Sequence, residues 1–309
     1  MVYENIPIFD RKGISAMKTT IIDSYQHFGK CLSLEEGKLT LYVTLDRGPR
    51  IIYASFDGSD NIFYNEPEGG YTVTDEKYQS VFGVGTGWQI CGGHRFWISP
   101  EVYPYTYYPD NDPVKFEIKG NSVQCMPSVQ RVTGLQTIWN LTFASKGLAL
   151  THTVKNCSNR PVQCAVWALS VMAPGSVAKV PQSRDASNPF VPNRCMSFWP
   201  YSNLADPRYH MEPDAFVLRH DGTVPGKFKV GMMNTAGYIA ISVNGVLFTK
   251  GFLPKHPTAA YPDFGVSTEL YTDERFLEAE TLGPLTDLHP GESTHHTEYW
   301  AFAEMGGSV

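Results

Sequence analysis

The chain has 309 residues, 42% of them hydrophobic and 18% charged, with 27 glycines, 22 prolines and a formal net charge of −6. Low charge beside 13% aromatic residues is the opposite of a disordered composition, and 25 scattered basic residues against 31 acidic ones exclude a broad nucleic-acid footprint. No uninterrupted run of 18 apolar residues is present, which excludes a membrane-spanning helix.

Residues 1–20 read as a polar arm without the basic start and apolar run of a secretory leader. Six cysteines stand far apart with no C-x-x-C pair, so free thiols in a cytoplasmic protein are expected. From residue 21 to 309 the pattern is that of one domain. In 38–45, Leu39, Leu41, Val43 and Leu45 alternate with Thr40, Tyr42 and Thr44, as in a half-buried strand. Comparable runs follow at 50–56, 115–118, 122–131, 135–143, 148–156, 162–172, 227–233, 237–243, 266–271, 275–280 and 296–303. Turn pairs such as Asp57-Gly58 and Asn244-Gly245 separate them. A short helix is expected at 74–81. A dozen or more strands without crossover helices predict an all-β fold of antiparallel sheets, a large sandwich or barrel. The proline-rich stretch 181–213, with Trp199, Tyr201 and Tyr209, is long enough for a functional loop.

Two segments concentrate polar chemistry. Residues 83–101 hold five glycines with Trp88, His94, Arg95, Trp97 and Glu101. Tryptophan faces stack on the C–H faces of sugar rings, and Arg and Glu hydrogen-bond to hydroxyl pairs, so a ligand groove is expected there. Its glycines match a dinucleotide loop only loosely and no helix follows, so no nucleotide cofactor is expected. On the strand 275–280, Glu278 and Glu280 share one face, roughly 6–7 Å apart. Neighbouring carboxylates push their pKa values apart, which suits one to act as a base. His152 shares its face with Leu148, Leu150 and Val154 and reads as a core or groove-floor histidine. His295 and His296 point to opposite faces, so no metal set is expected. Arg50, after Asp46-Arg47-Gly48-Pro49, either tightens a turn or approaches a ligand.

Taken in order, these motifs resemble the aldose 1-epimerase and galactose-mutarotase-like superfamily. Gly48-Pro49-Arg50-Ile51 is similar to its early G-(A/P)-R-(I/L) strand, and Cys91-Gly92-Gly93-His94-Arg95-Phe96-Trp97 with Pro100-Glu101 looks like an uncharacterised bacterial branch. Asn156 to Pro161, then Val166-Trp167-Ala168, resembles a strand pair of the family. Phe276-Leu277-Glu278-Ala279-Glu280-Thr281, then Pro290-Gly291, resembles its catalytic-glutamate strand and the turn that follows. The resemblance implies a β-supersandwich whose concave face binds a carbohydrate. It also implies a glutamate that takes the proton from the anomeric hydroxyl and a histidine that protonates the ring oxygen. The glutamate carries over best onto Glu280, with Glu278 second, and His94 matches an early histidine. After Trp167 the chain departs: Ala168-Leu169-Ser170-Val171-Met172 stands where many mutarotases carry a second histidine.

The sequence therefore predicts a carbohydrate-active protein with Glu280, His94 and Glu278 as catalytic candidates. Arg50, Trp88, Arg95, Trp97 and Glu101 are the substrate-binding candidates, with no metal or cofactor. A non-catalytic carbohydrate-binding protein and a glycan-cleaving hydrolase or lyase on the same scaffold are the alternatives. The expected partner is a small carbohydrate, without nucleic acid or membrane. His94, Arg95, Trp97, Glu101 and Glu280 are expected to converge on one groove.

Overall fold

The computed structural model describes residues 16–144, 147–254 and 259–306. Two large antiparallel sheets face each other, one of eleven strands and one of ten among the described residues. At the centre of the first sheet, Ile51–Phe56, Gly93–Ser99, Val162–Met172, Leu277–Leu282, Thr268–Thr272 and Phe228–Met232 lie side by side in that order. The centre of the second runs Tyr238–Val243, Val246–Phe252, Ser293–Glu304, Gly147–Asn156 and Leu135–Ala144. This is the antiparallel supersandwich that the period-two patterning predicts. Of the expected arm 1–20, residues 1–15 lie outside the described residues, whereas Lys18–Ile22 already pairs with Cys31–Glu36 at the edge of the first sheet.

Local chemistry accounts for the joints. Asn244 and Gly245 have φ of 49° and 75°, the two left-handed residues of a tight hairpin turn, and Val243 pairs with Val246 across it. The expected short helix is Glu76–Phe82, capped by Asp75, whose carboxylate accepts a hydrogen bond from the Tyr78 amide at 2.8 Å. The pattern failed where glycine masked a strand. Gly93–Ser99, inside the glycine-rich segment 83–101 and absent from the strand runs read from sequence, is a strand pairing with Val162–Met172 through seven residues. Its leading glycines serve close packing. A Cβ on Gly93 would stand 2.4 Å from the Ile51 carbonyl oxygen, and one on Gly92 would stand 2.0 Å from that of Tyr64.

The main core fills the space between the sheets, with Leu41, Phe143, Leu148, Leu150, Phe248 and Trp300 almost wholly buried. A polar network is embedded in it. Lys250 Nζ donates to the carbonyls of Ala168 (2.9 Å) and Ala279 (2.8 Å) and to Ser170 Oγ (3.0 Å), and is ion-paired with Glu298 at 3.1 Å. Ser170 Oγ is 2.9 Å from His94 Nδ1, and His94 Nε2 is 2.8 Å from His152 Nε2. His152 Nδ1 in turn lies 3.3 Å from the His296 carbonyl. One proton arrangement satisfies the chain: Ser170 donates to His94, His94 to His152, and His152 to the carbonyl, with both rings neutral. Glu298 accepts from Trp300 Nε1 at 2.8 Å and from Thr281 Oγ1.

Burial disfavours the imidazolium, so both histidines titrate below the ordinary range, with Lys250 adding to the effect; His152 is pushed down to about 3. An unfolded chain takes up these protons first, near pH 6.5. The stabilisation is therefore complete above pH 6.5 and is lost as pH falls from there toward 3, by at most about 1.4 kcal/mol per pH unit for each ring. Denaturant unfolding at pH 7.5 and 5.0 should show a drop for the parent that is clearly smaller for His152→Gln. Equal drops in both would mean that His152 is charged in the folded chain.

Candidate functional site

The outer face of the first sheet carries a cleft of about 410 Å³. Strand alternation builds its floor. On Gly93–Ser99, Arg95 and Trp97 face the cleft while His94 and Phe96 face the core; on Val162–Met172, Trp167 and Leu169 face the cleft. Leu277–Leu282 contributes Glu278 and Glu280, Thr268–Thr272 contributes Glu269 and Tyr271, and Phe228–Met232 contributes Lys229. Leu169 pairs in register with both Arg95 and Glu280, and Glu269 lies directly opposite Glu280. Connections close the walls: Tyr71 and Trp88 on one side, Glu101 and Tyr107 on another, and Trp199 and Tyr201 from the proline-rich stretch.

The floor is a set of ion pairs under aromatic rings. Arg95 Nη1 donates to Glu278 Oε1 at 2.8 Å, and its guanidinium lies 4.4 Å from the centre of the Trp97 ring and 5.7 Å from that of Trp88. Lys229 Nζ sits between Trp167 and Trp199, 4.6 and 4.7 Å from their centres. It is 3.1 Å from Glu280 Oε2, a hydrogen bond, and 2.7 Å from Glu269 Oε2, an ion-pair contact without hydrogen-bond alignment. Trp167 Nε1 also donates to Glu280 Oε2, at 2.6 Å. Glu280 Oε1 has no hydrogen-bond partner of good geometry.

These neighbours set the protonation states. Burial raises the Glu269 carboxyl well above its ordinary range, against the pull of Lys229 and with Glu280 adding to the rise. Burial also raises Glu278, only partly offset by Arg95, and Glu280 pushes it further. Burial would raise Glu280 too, but the charges of Lys229 and Arg95 and the hydrogen bond from Lys229 outweigh it and hold Glu280 low. Lys229 stays above its ordinary value because the two glutamates overcome its burial. The floor thus sets its carboxyls apart, with Glu280 held low and Glu269 and Glu278 raised. Burial lifts the phenols of Tyr201 and Tyr271 above their usual range, so both remain hydroxyl donors.

Of the sequence candidates, Trp88, Arg95, Trp97, Glu101 and Glu278 line the cleft, and Glu280 lies beneath it, bonded to the lining residues Trp167 and Lys229. Two candidates are elsewhere. His94 does not converge with Arg95; the alternation of its strand turns it into the core network, where it is fully buried. Arg50 is buried behind the cleft, where its Nη2 donates to both oxygens of Asp110 at 3.0 and 2.8 Å, and it stands 5.8 Å from the Trp88 ring, so it supports that wall without lining the cleft. Lys229 and Glu269 were missed, although a lone charge inside each apolar strand was a usable signal. Among the described residues, one group has donors close enough together for a metal, His94, His152 and Glu298, within 4.8 Å of one another. Each of those donors is already engaged in the core network, and the Lys250 ammonium stands beside them, so the group is a hydrogen-bond network.

No family model matches the chain, and no curated protein matches it in sequence. Solved structures do match in fold. A structure from Klebsiella pneumoniae with a provisional aldose 1-epimerase assignment is 12% identical, with a TM-score of 0.58, over 95% of this chain and 85% of that one. A galactose mutarotase-like protein from Clostridium acetobutylicum is 12% identical, with a TM-score of 0.54, over 94% and 98%. A TPR-domain containing protein from Parabacteroides distasonis is 12% identical, with a TM-score of 0.55, over 91% of this chain; the chain spans only 48% of that protein. The chain has the galactose-mutarotase-like fold.

Proposed function

We propose that this chain is a carbohydrate-active protein that binds a sugar in the cleft and exchanges protons with it through Glu278 and Glu280. The observation that carries the reading is this pair of carboxylates on one strand face, pushed in opposite directions by their surroundings, under an aromatic-walled cleft. Divergent carboxyl pKa values on neighbouring residues are how a fold assigns one acid and one base. Glu280, ionised, has the state of a base; Glu278, raised and open to the cleft, has that of an acid. Together they supply the two roles that a glutamate and a histidine share in the epimerase mechanism, with His94 turned away. Lys229 is held protonated and acts as a fixed positive charge facing any oxyanion that develops on the sugar. Trp97, Trp167 and Trp199 give the cleft the aromatic lining against which a pyranose ring packs.

A second reading, binding without turnover, draws on the fact that each carboxylate is also held by a cation, Glu278 by Arg95 and Glu280 by Lys229. Saturation-exchange NMR against a panel of free sugars separates the two. The acid–base reading expects anomer interconversion above the spontaneous rate for at least one sugar. Glu280→Gln should keep binding and lose roughly two orders of magnitude or more in rate, and Glu278→Gln should do likewise. Binding with no exchange, abolished by Trp97→Ala and little changed by Glu280→Gln, would establish the binder. A panel in which no sugar binds would end both.

The ion-pair geometry makes a separate prediction. Lys229→Met keeps the aliphatic stem between the two tryptophans but strands the charge of Glu280. Urea unfolding at pH 7.5 should show a loss of about 3–5 kcal/mol, the usual cost of removing one partner from a buried pair. Adding Glu280→Gln to that variant should recover part of the loss. A single-variant loss below about 1 kcal/mol, the scale of an exposed pair, would show that Glu280 is not charged there.

A further inference from the structure

A second cavity, of about 420 Å³, opens where the two sheets part at one end of the sandwich. Its inner wall is apolar and drawn from both sheets: Phe96, Val162 and Cys164 from the first, Leu135 and Trp139 from the second. Close packing is the rule between facing sheets, so a space of this size at their junction is unusual. Two polar features are set into it. Ser99 is 1% exposed, and its hydroxyl has no hydrogen-bond partner. Arg160 stands at the rim, exposed, with no partner for its guanidinium among the described residues. The other charged residue of the lining, Asp110, is neutralised by Arg50. The mouth also exposes Val102, Tyr105 and Val132, an apolar lip on an otherwise polar surface.

We propose that this cavity is a ligand site, separate from the sugar cleft, for a small anionic amphiphile: an aliphatic or aryl chain with a carboxylate or similar head. The apolar wall takes the chain. Arg160 is the free charge at the rim, and it selects a negative head. Ser99 supplies a buried hydroxyl whose hydrogen-bonding capacity is unspent in the empty protein, and buried polar groups are otherwise almost always paired. At roughly 30 Å³ per heavy atom, the volume suits a chain of about a dozen such atoms. The site makes no use of Glu278 or Glu280, so it stands or falls independently of the sugar reading.

Decanoate, with decan-1-ol as the uncharged counterpart, tests the assignment by isothermal titration on the full chain. Saturable binding of decanoate is expected, weaker for the alcohol. Arg160→Gln should weaken decanoate about tenfold and leave the alcohol unchanged. Val162→Phe, which adds bulk to the apolar wall at a half-buried position, should block both. Ser99→Ala should weaken decanoate without lowering the melting temperature, because it deletes a hydroxyl that the empty protein does not use; this variant keeps the test open if Val162→Phe unfolds. Trp199→Ala, in the wall of the sugar cleft, should leave the decanoate affinity as it is in the parent. Absence of decanoate binding to the folded parent overturns the proposal. So does binding that Trp199→Ala abolishes and Val162→Phe spares, since the occupant would then sit in the sugar cleft.

Discussion

A strand covered on both faces must divide its side chains between two environments, and in this chain that constraint decides what every central residue does. The first sheet packs against the second on one side and underlies the cleft on the other, so neighbours in sequence are a whole sheet apart in space. Arg95 enters the cleft and pairs with Glu278, while His94, one residue before it, enters the core and bonds to His152 and Ser170. A slip of one residue would exchange the two faces, placing a guanidinium among Trp139, His152 and Trp300 and an imidazole beside Glu278. Gly92 and Gly93 fix the register at the start of the strand, because no other residue fits against the carbonyls of Tyr64 and Ile51.

Charge balance follows from the same arrangement. Three glutamates on two adjacent strands share the floor of the cleft, against two cations, Arg95 and Lys229. Three carboxyls against two cations, in a region that water barely reaches, work against full ionisation, and the three shift in different directions. Glu269, fully buried and directly opposite Glu280, is raised well above its ordinary range. Lys229, in contact with both Glu269 and Glu280, holds Glu280 low, so the state of the residue best suited to act as a base is set by contacts beneath the cleft.

Much of this was legible in the sequence, and the exceptions have identifiable causes. The alternation of Leu277–Leu282 announced that Glu278 and Glu280 share a face, and the proline-rich stretch that carries Trp199 and Tyr201 was recognisable by its length. The fold class followed from period-two patterning in a dozen segments. The strand Gly93–Ser99 was hidden because its glycines imitate a loop, and with the strand unseen, the opposite orientations of His94 and Arg95 were unseen too. Lys229 and Glu269 escaped because each is a single charge in an apolar strand, and its partners are more than ten residues away. Pairing between distant strands is a property of topology, which local periodicity does not encode. Arg50 belongs to a motif near the cleft, but its partner Asp110 lies in a connection with no pattern to read.

The two faces of the sheet are nonetheless mechanically joined. Lys250 reaches across from the second sheet and donates to the carbonyls of Ala168 and Ala279, each one residue from a cleft residue, Trp167 in one strand and Glu278 and Glu280 in the other. Those carbonyls belong to adjacent strands, so a single ammonium ties together from behind the backbones that carry the indole donor and the carboxylates in front. Ser170, bonded to both Lys250 and His94, extends the clamp to the strand of Arg95 and Trp97. A cleft whose carboxyl states depend on contacts of 2.6 to 3.1 Å tolerates little backbone drift, since ion-pair and hydrogen-bond energies fall steeply over a few tenths of an ångström. The buried histidines therefore have a part in the cleft without entering it: they complete the polar network that holds three strands in register behind Glu278, Glu280 and Arg95.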